Sequence, residues 1–214
     1  MAIVISGPYV GFSGTIDGLT FYQLPDGRTV VKIKNSPSET PPTEKQLAVK
    51  KDTQLFSKLL KPLRGFVLVG FELEAKIQKL NPNNAMVKTN RKNSIEGTYP
   101  NRSVNCSKIL MTKGSLPSAE NVAAEMNDSG LTFSWSTEIK PRMTHHSDQV
   151  MMLAYFPERK EARYMTAGAQ RLTGTDFLPL DGIKKGCTAE VYLSFVSGDR
   201  KNIADSIYVG QFNW

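Results

Sequence analysis

Gly130-Leu-Thr-Phe-Ser-Trp-Ser136 puts Leu131, Phe133 and Trp135 on one side of an extended chain and Thr132, Ser134 and Ser136 on the other. Alternation with period two in β-favouring residues predicts a half-buried strand, and the Asn127-Asp-Ser-Gly130 turn leads into it. A tryptophan in mid-strand, followed by strands at short intervals, is expected of the first core strand of a β-sandwich. Strands are predicted at 121–126, 131–136, 149–156, 161–166, 175–178, 188–196 and 206–212. Turn chemistry such as Pro157-Glu-Arg-Lys160, Asp181-Gly182 and Ser197-Gly-Asp199 separates them. Alternation nominates Phe133, Trp135, Val150, Met152, Ala154, Val191, Leu193, Phe195, Ile207 and Val209 as core.

Upstream of these strands the period changes to that of helices. Thr43-Glu-Lys-Gln46 has the form of a capping box and predicts a helix to about Leu60. In it Leu47, Lys51, Leu55 and Leu59 fall at i+4 steps, while Lys45, Lys50 and Lys58 mark the other face. Pro62 fits the first turn of a second helix, where its missing N–H costs little. That helix would carry an apolar stripe of Leu63, Phe66, Val67, Phe71 and Ile77, with Gly65 and Gly70 allowing close helix packing. Asn81-Pro82 starts a third short helix with Ala85, Met86 and Val87, which Gly97 ends, and 104–111 reads as a strand.

Before the helices, a β-hairpin is expected around Pro25-Asp26-Gly27, its arms running from Thr15 to Leu24 and from Arg28 to Lys34. Its second arm is expected to bury Val31 and Ile33 and expose Lys32 and Lys34. Ser36-Pro-Ser-Glu-Thr-Pro-Pro42 then reads as a linker, since its prolines exclude helix and sheet pairing alike. Residues 1–14 contain Ile3, Val4, Ile5, Val10 and Phe12, too apolar for a free tail, yet glycines and Pro8 prevent a long regular element. Two placements fit them: an extended arm packed on its own domain, or an assembly arm that adds a strand to a neighbouring subunit.

The resulting fold class is α+β. An N-terminal β-hairpin with two or three helices occupies 1–117, and a seven-stranded Ig/fibronectin III-like β-sandwich occupies 118–214. With 214 residues, 40% hydrophobic and 22% charged, the chain is globular rather than disordered. No apolar run approaches the roughly 20 residues of a membrane span. Met1-Ala-Ile-Val-Ile-Ser-Gly7 has no basic residue before its apolar stretch and makes a poor signal peptide, so cytoplasmic synthesis is expected. Two cysteines, Cys106 and Cys187, are too few for a disulfide framework; two free thiols and a single bridge both remain open.

The net charge of +7 is uneven. Up to Pro100 there are 14 Lys+Arg against 8 Asp+Glu, and from Asn101 onward 13 against 12. The basic half thus suits an anionic partner, nucleic acid or an acidic protein surface. Candidate contacts are Lys50, Lys51, Lys58, Lys61, Arg64, Lys88, Arg91 and Lys92, with Asn83, Asn84, Asn90 and Asn93 beside the last three. Neither an aromatic stacking partner nor a helix-turn-helix signature accompanies them.

Two resemblances add to this reading. From about Ser118 the chain resembles a fibronectin type III-like module, through Trp135 in the second strand, Val150 to Tyr155 in the third, Val191 to Phe195 in the sixth and the Ser206-Ile-Tyr-Val-Gly210 ending. It departs at the tyrosine corner: the residue six beyond Ile183 is Ala189. Nearly end to end, the chain is also similar to a family of uncharacterised proteins of about 210 residues found mainly in Bacteroidota. Gly11-Phe-Ser-Gly14, Pro42-Thr-Glu-Lys-Gln46, Gly97-Thr-Tyr-Pro100 and the same ending carry that likeness. It implies an architecture and no catalytic residue.

Catalytic patterns are lacking. His145-His146, with Arg142 and Asp148 nearby, form the one histidine pair, but neighbours in an extended segment point apart and no ligand spacing is completed. No Gly-x-Ser-x-Gly elbow, Walker loop or Gly-x-Gly-x-x-Gly follows a strand. Glu72 and Glu74 stand two apart, which on a helix turns them in different directions. No enzyme, metal, cofactor or small-molecule substrate is therefore expected. The expected role is a structural or interaction protein that assembles with itself or with a larger, phage-like or surface-associated particle through its N-terminal arm and helices. The alternative is nucleic-acid association through the basic half. A third, a carbohydrate- or surface-binding module, would use Tyr155, Phe156, Tyr164 and Trp214.

Overall fold

The computed structural model describes residues 2–24, 26–34, 40–139 and 144–214. Contact density divides the chain into two units, Met1–Thr43 and Glu44–Trp214. The sequence pattern predicts a boundary after residue 117. The structure draws it earlier, because the helices share a core with the later strands.

The first unit is a four-stranded antiparallel sheet of β1 (Ala2–Val4), β2 (Gly14–Ile16), β3 (Leu19–Gln23) and β4 (Thr29–Ile33), in the order β1-β4-β3-β2. The β3–β4 hairpin lies where expected, closed by Gly27 N–H donating to the Leu24 carbonyl at 2.9 Å; Pro25 of that turn, and 36–39 of the expected linker, lie outside the described residues. The expected first arm is itself a hairpin. Asp17 and Gly18, at φ 45° and 75°, form a two-residue turn between β2 and β3, the geometry that Asp-Gly favours. Ala2–Val4 pairs with β4, Ala2 opposite Val31, so these residues are an edge strand of their own sheet.

The face expected to be buried is only partly so. Phe21 lies under Tyr9, stacked at 5.4 Å, and Phe12, edge-on at 5.4 Å. Val31 stands opposite Phe21 and is half-buried, whereas Ile33, two residues on and opposite Leu19, is 75% exposed. On the other face Val30 is buried.

The second unit begins with α1 (Glu44–Gly70), one continuous helix with Pro62 inside it rather than at the start of a second. Pro62 forfeits one hydrogen bond, to the carbonyl of Lys58, an exposed residue whose carbonyl water can satisfy. Phe56, Leu59, Leu63, Phe66 and Val67 hold both halves against one core. Next come α2 (Glu72–Gln78) and α3 (Pro82–Ser94). Lys79 in the left-handed region ends α2, and the Asn81 side chain caps α3 by accepting from the Asn84 N–H at 2.8 Å. Ile77, expected in the core, is exposed. The expected strand at 104–111 shrinks to the second member of a two-residue ladder, β5 (Ile95–Glu96) with β6 (Ser103–Val104), because Asn105 caps a tight 3-10 turn at Cys106–Lys108.

The remaining strands are β7 (Ala123–Met126), β8 (Gly130–Ser134), β9 (Gln149–Phe156), β10 (Glu161–Met165), β11 (Thr175–Pro179), β12 (Thr188–Val196) and β13 (Ile207–Asn213). They form a four-stranded antiparallel sheet, β10-β9-β12-β13, and a three-stranded one, β11-β8-β7. Leu131, Phe133, Trp135, Val150, Met152, Ala154, Val191, Leu193 and Phe195 fill one core shared by the two sheets, as alternation indicated. Ile207 and Val209 are only partly buried. A second core lies on the opposite side of β9 and β12, where Met151, Leu153, Tyr155 and Tyr192 meet Phe56, Leu63, Phe66, Phe71 and Met86 of the helical segment. The fold is thus mixed α+β, with three α-helices and several antiparallel sheets among the described residues.

Two glycines let the helices approach. A Cβ on Gly65 would collide with the Tyr164 side chain of β10, and one on Gly70 would stand 2.8 Å from the Met111 carbonyl oxygen. Both serve packing, but against strand and loop rather than against another helix.

Candidate functional site

Two helices with aligned side-chain stripes enclose a concavity. Lys45, Ala48, Val49 and Asp52 follow the i, i+3, i+4, i+7 spacing along one side of α1. Asn84, Val87, Lys88 and Arg91 repeat it on α3, followed by Lys92 and Ile95; Arg102 enters from the loop between β5 and β6. Together they line a groove of about 850 Å³.

Asp52 is 3% exposed. Its Oδ2 accepts from Nε and Nη2 of Arg91, each at 3.3 Å, and Arg102 Nε lies 3.1 Å from its Oδ1. A carboxylate this buried is tolerated because two guanidiniums replace its water. The carboxylate hydrogen-bonds Arg91 and pairs with Arg102 by charge alone, since Arg102 Nε and Asp52 Oδ1 make no hydrogen bond. Arg91 Nη1 and the terminal nitrogens of Arg102 likewise make none with any described residue. Lys45, Lys88 and Lys92 form no ion pair with any described residue. Ala48, Val49, Val87 and Ile95 supply apolar walls.

The structure gathers three of the eight nominated cations here: Lys88, Arg91 and Lys92. Lys50, Lys51, Lys58, Lys61 and Arg64 do not line the groove; Lys58 lines a smaller cleft of about 210 Å³ beside Cys106 and Tyr155. Lys45, Asp52 and Arg102 were not nominated. Asp52 carried a usable signal, an acid four residues before Phe56 on the apolar face of α1; nothing in the sequence marks Arg102.

Among the nominated arm residues, Ile3, Ile5 and Val10 are exposed, while Val4 and Phe12 are half-buried. Of the aromatics proposed for a surface-binding role, Tyr155 and Phe156 are buried in the two cores. Trp214 is partly covered, with the Lys185 ammonium 5.1 Å from its ring centre. Tyr164 is 39% exposed, its ring edge-on to Phe66 at 5.8 Å.

His145 and His146 sit at an exposed turn, their rings 3.9 Å apart. Arg142 lies outside the described residues, and Asp148 turns inward, its carboxylate 3.3 Å from Arg171 Nε. That pair is a buried brace: the guanidinium lies 4.0 Å over the Phe195 ring and donates to the Pro117 carbonyl, and the Arg171 carbonyl accepts from the Trp135 indole at 2.8 Å. Sequence reasoning missed it, since Arg171 lies outside any regular pattern. Among the described residues no three His, Cys, Asp or Glu side chains are grouped to hold a metal ion. Glu72 is paired with Lys76 at 2.7 Å and Glu74 is bonded to Gln78.

Both cysteines are free thiols. Burial, with the Glu190 charge adding to it, pushes Cys106 up to about 11, so it stays protonated and poorly nucleophilic at neutral pH. No helix among the described residues is long and apolar enough to cross a membrane.

Compared with known proteins, the chain matches no curated protein and no solved structure. Residues 13–210 match the model of a family of unknown function, DUF6266. Since that match takes in nearly all of the architecture described above, the chain belongs to this family of unknown function.

Proposed function

We propose that the protein is a non-enzymatic structural or interaction protein that assembles with further copies of itself through its N-terminal sheet. The observation that carries this is a row of aliphatic side chains in direct register across three strands: Ile16 opposite Leu19, and Leu19 opposite Ile33. They are 43%, 39% and 75% exposed. Ile3, Ile5, Tyr9 and Val10 of the same small unit are exposed as well. Contiguous apolar surface of this kind is characteristic of interaction sites. The flanking strands β1 and β2 are the edges of the sheet, where a further strand can add.

Residues 118–214 are read as an Ig/fibronectin III-like sandwich acting as the rigid body of the assembly. The support is the partition of the seven strands: first, second and fifth in one sheet, and third, fourth, sixth and seventh in the other, as in Greek-key sandwiches. Fold alone does not establish a role, so the assembly reading rests on the N-terminal row.

Light scattering across a salt series tests it. A discrete oligomer that resists salt, reduced to the monomer mass by the triple substitution Ile16→Ser, Leu19→Ser and Ile33→Ser, is expected. A wild-type protein that stays monomeric at the highest attainable concentration refutes it.

A further inference from the structure

The geometry points to a binding site for a phosphate-bearing anion in the groove between α1 and α3, where Lys45, Lys88, Arg91, Lys92 and Arg102 converge around a single carboxylate, Asp52. The groove lies wholly in the second unit, so its ligand and the N-terminal interface are tested separately.

A solvated helix face would scatter its cations; these come from three segments of chain and share one concavity. Helix-end electrostatics account for Arg91 and Lys92, which sit in the last turn of α3, where the backbone carbonyls favour positive charge. They do not account for Lys45, one residue into α1, where the helix dipole opposes a cation. Nor do they account for Lys88, which is in mid-helix. The three lysines lack anionic partners among the described residues, and unpaired like charges on one concave wall repel one another. An anion entering the groove relieves that repulsion.

The chemistry of the donors favours phosphate. Asp52 accepts from two nitrogens of Arg91 and stands beside Arg102 as an ion pair without a hydrogen bond, so most N–H groups of both guanidiniums are not engaged by any described residue. Planar forks held in place suit the oxygens of phosphate, and the lysines add point charges around them. Several acceptor oxygens are needed to use five cationic side chains, which a phosphate chain or a run of phosphodiesters provides. The walls are aliphatic and no aromatic side chain lines the groove, so bases would find no stacking platform and the phosphates would carry the recognition. Such phosphates come from two sources, a free phosphorylated small molecule or a nucleic-acid backbone.

The test uses the full chain, with sodium tripolyphosphate and a fluorescein-labelled single-stranded oligothymidylate as probes. Tripolyphosphate is expected to raise the melting temperature saturably above sodium chloride of matched ionic strength, as a ligand of the native state must. The Lys88→Gln/Lys92→Gln pair, exposed and distant from the core, is expected to weaken binding about tenfold or more, equivalent to roughly 1.4 kcal/mol. Lys58→Gln/Lys61→Gln, outside the groove, is expected to leave it unchanged. If the oligonucleotide also binds, with affinity falling steeply in salt and through the same two lysines, the source is a nucleic-acid backbone; if tripolyphosphate alone binds, it is a free phosphorylated ligand. Either outcome supports the site. Absence of any stabilisation beyond chloride together with no oligonucleotide binding overturns it, and so does equal weakening by both lysine pairs.

Discussion

The two four-stranded sheets treat their faces in opposite ways. In the second unit, the central strands β9 and β12 are buried on both sides, under the three-stranded sheet on one and under the helices on the other. In the first unit, the ring cluster of Tyr9 and Phe12 lies on Phe21, and the same face continues past it into the exposed row Ile16, Leu19 and Ile33. A sheet presents two faces whatever its sequence; what differs is how much of the chain returns to cover them. Where covering is complete, polar groups that fall inside are tied off. Thr112 Oγ1 donates to the Ala204 carbonyl at 2.7 Å, and the Asn90 amide exchanges two hydrogen bonds with the Leu110 backbone. Buried polar groups require such partners.

The largest effect that would test this contrast is expected from the brace between β9 and the rest of its unit. Asp148→Asn leaves the Arg171 guanidinium buried without a counter-charge, and breaking a buried pair from one side costs about 3–5 kcal/mol. Urea denaturation monitored at Trp135 is the measurement; a loss below about 1 kcal/mol would mean that water reaches the pair. Next comes the helix-facing side of the same strand. Leu153→Ala removes a side chain with no exposed surface and is expected to cost about 2–5 kcal/mol. A near-neutral result there would mean that the helices do not cover that face.

Much of this contrast was legible, and the failures are informative. The limits of β9 and β12 were readable to the residue because turn-forming residues bound them. Their double burial was also written in the chain, since Val150-Met-Met-Leu-Ala-Tyr-Phe156 is an unbroken apolar run and not an alternating one. Attention to alternate positions hid Met151, Leu153 and Tyr155, and with them the helical cover that joins the helices to the sandwich strands. Pro62 read as a helix start because its local cost is real; tertiary packing on both sides of it outweighs that cost. In the groove, Lys88, Arg91 and Lys92 were readable from their spacing on one helix. Lys45 and Arg102 were not, since only the packing of α1 on α3 and the return of the chain after β5 bring them alongside.

The helix-facing side also carries an alkaline pH signature. Burial pushes the Cys106 thiol up to about 11 and the Tyr155 phenol up to about 12, with neighbouring charges adding to both, and burial raises Tyr192 and Tyr208 too. In the unfolded chain these groups release protons from their ordinary values of 9.0 and 10.0, while the folded protein still holds them. The native state therefore binds more protons, and stability falls as pH rises from about 9 toward 12. Chemical denaturation at stepped alkaline pH should show that decline, and a Cys106→Ala/Tyr155→Phe variant should show less of it. An equal decline in the variant would place the sensitivity elsewhere.

The smallest effect expected belongs to the open face, and it decides what that face is for. Ile33 is 75% exposed, so Ile33→Thr removes little that folding has buried and keeps a β-branched residue in β4. The stability of the dilute protein should change by less than about 0.5 kcal/mol, as for other exposed positions. Leu19 stands beside it in register and Ile16 beyond Leu19, so the same substitution removes one end of the aliphatic row. A dilute melting temperature that stays put while light scattering loses mass would separate association from folding. A drop in the dilute melting temperature comparable to that of Leu153→Ala would instead mean that Ile33 is covered within its own chain, and the two sheets would then differ in degree and not in kind.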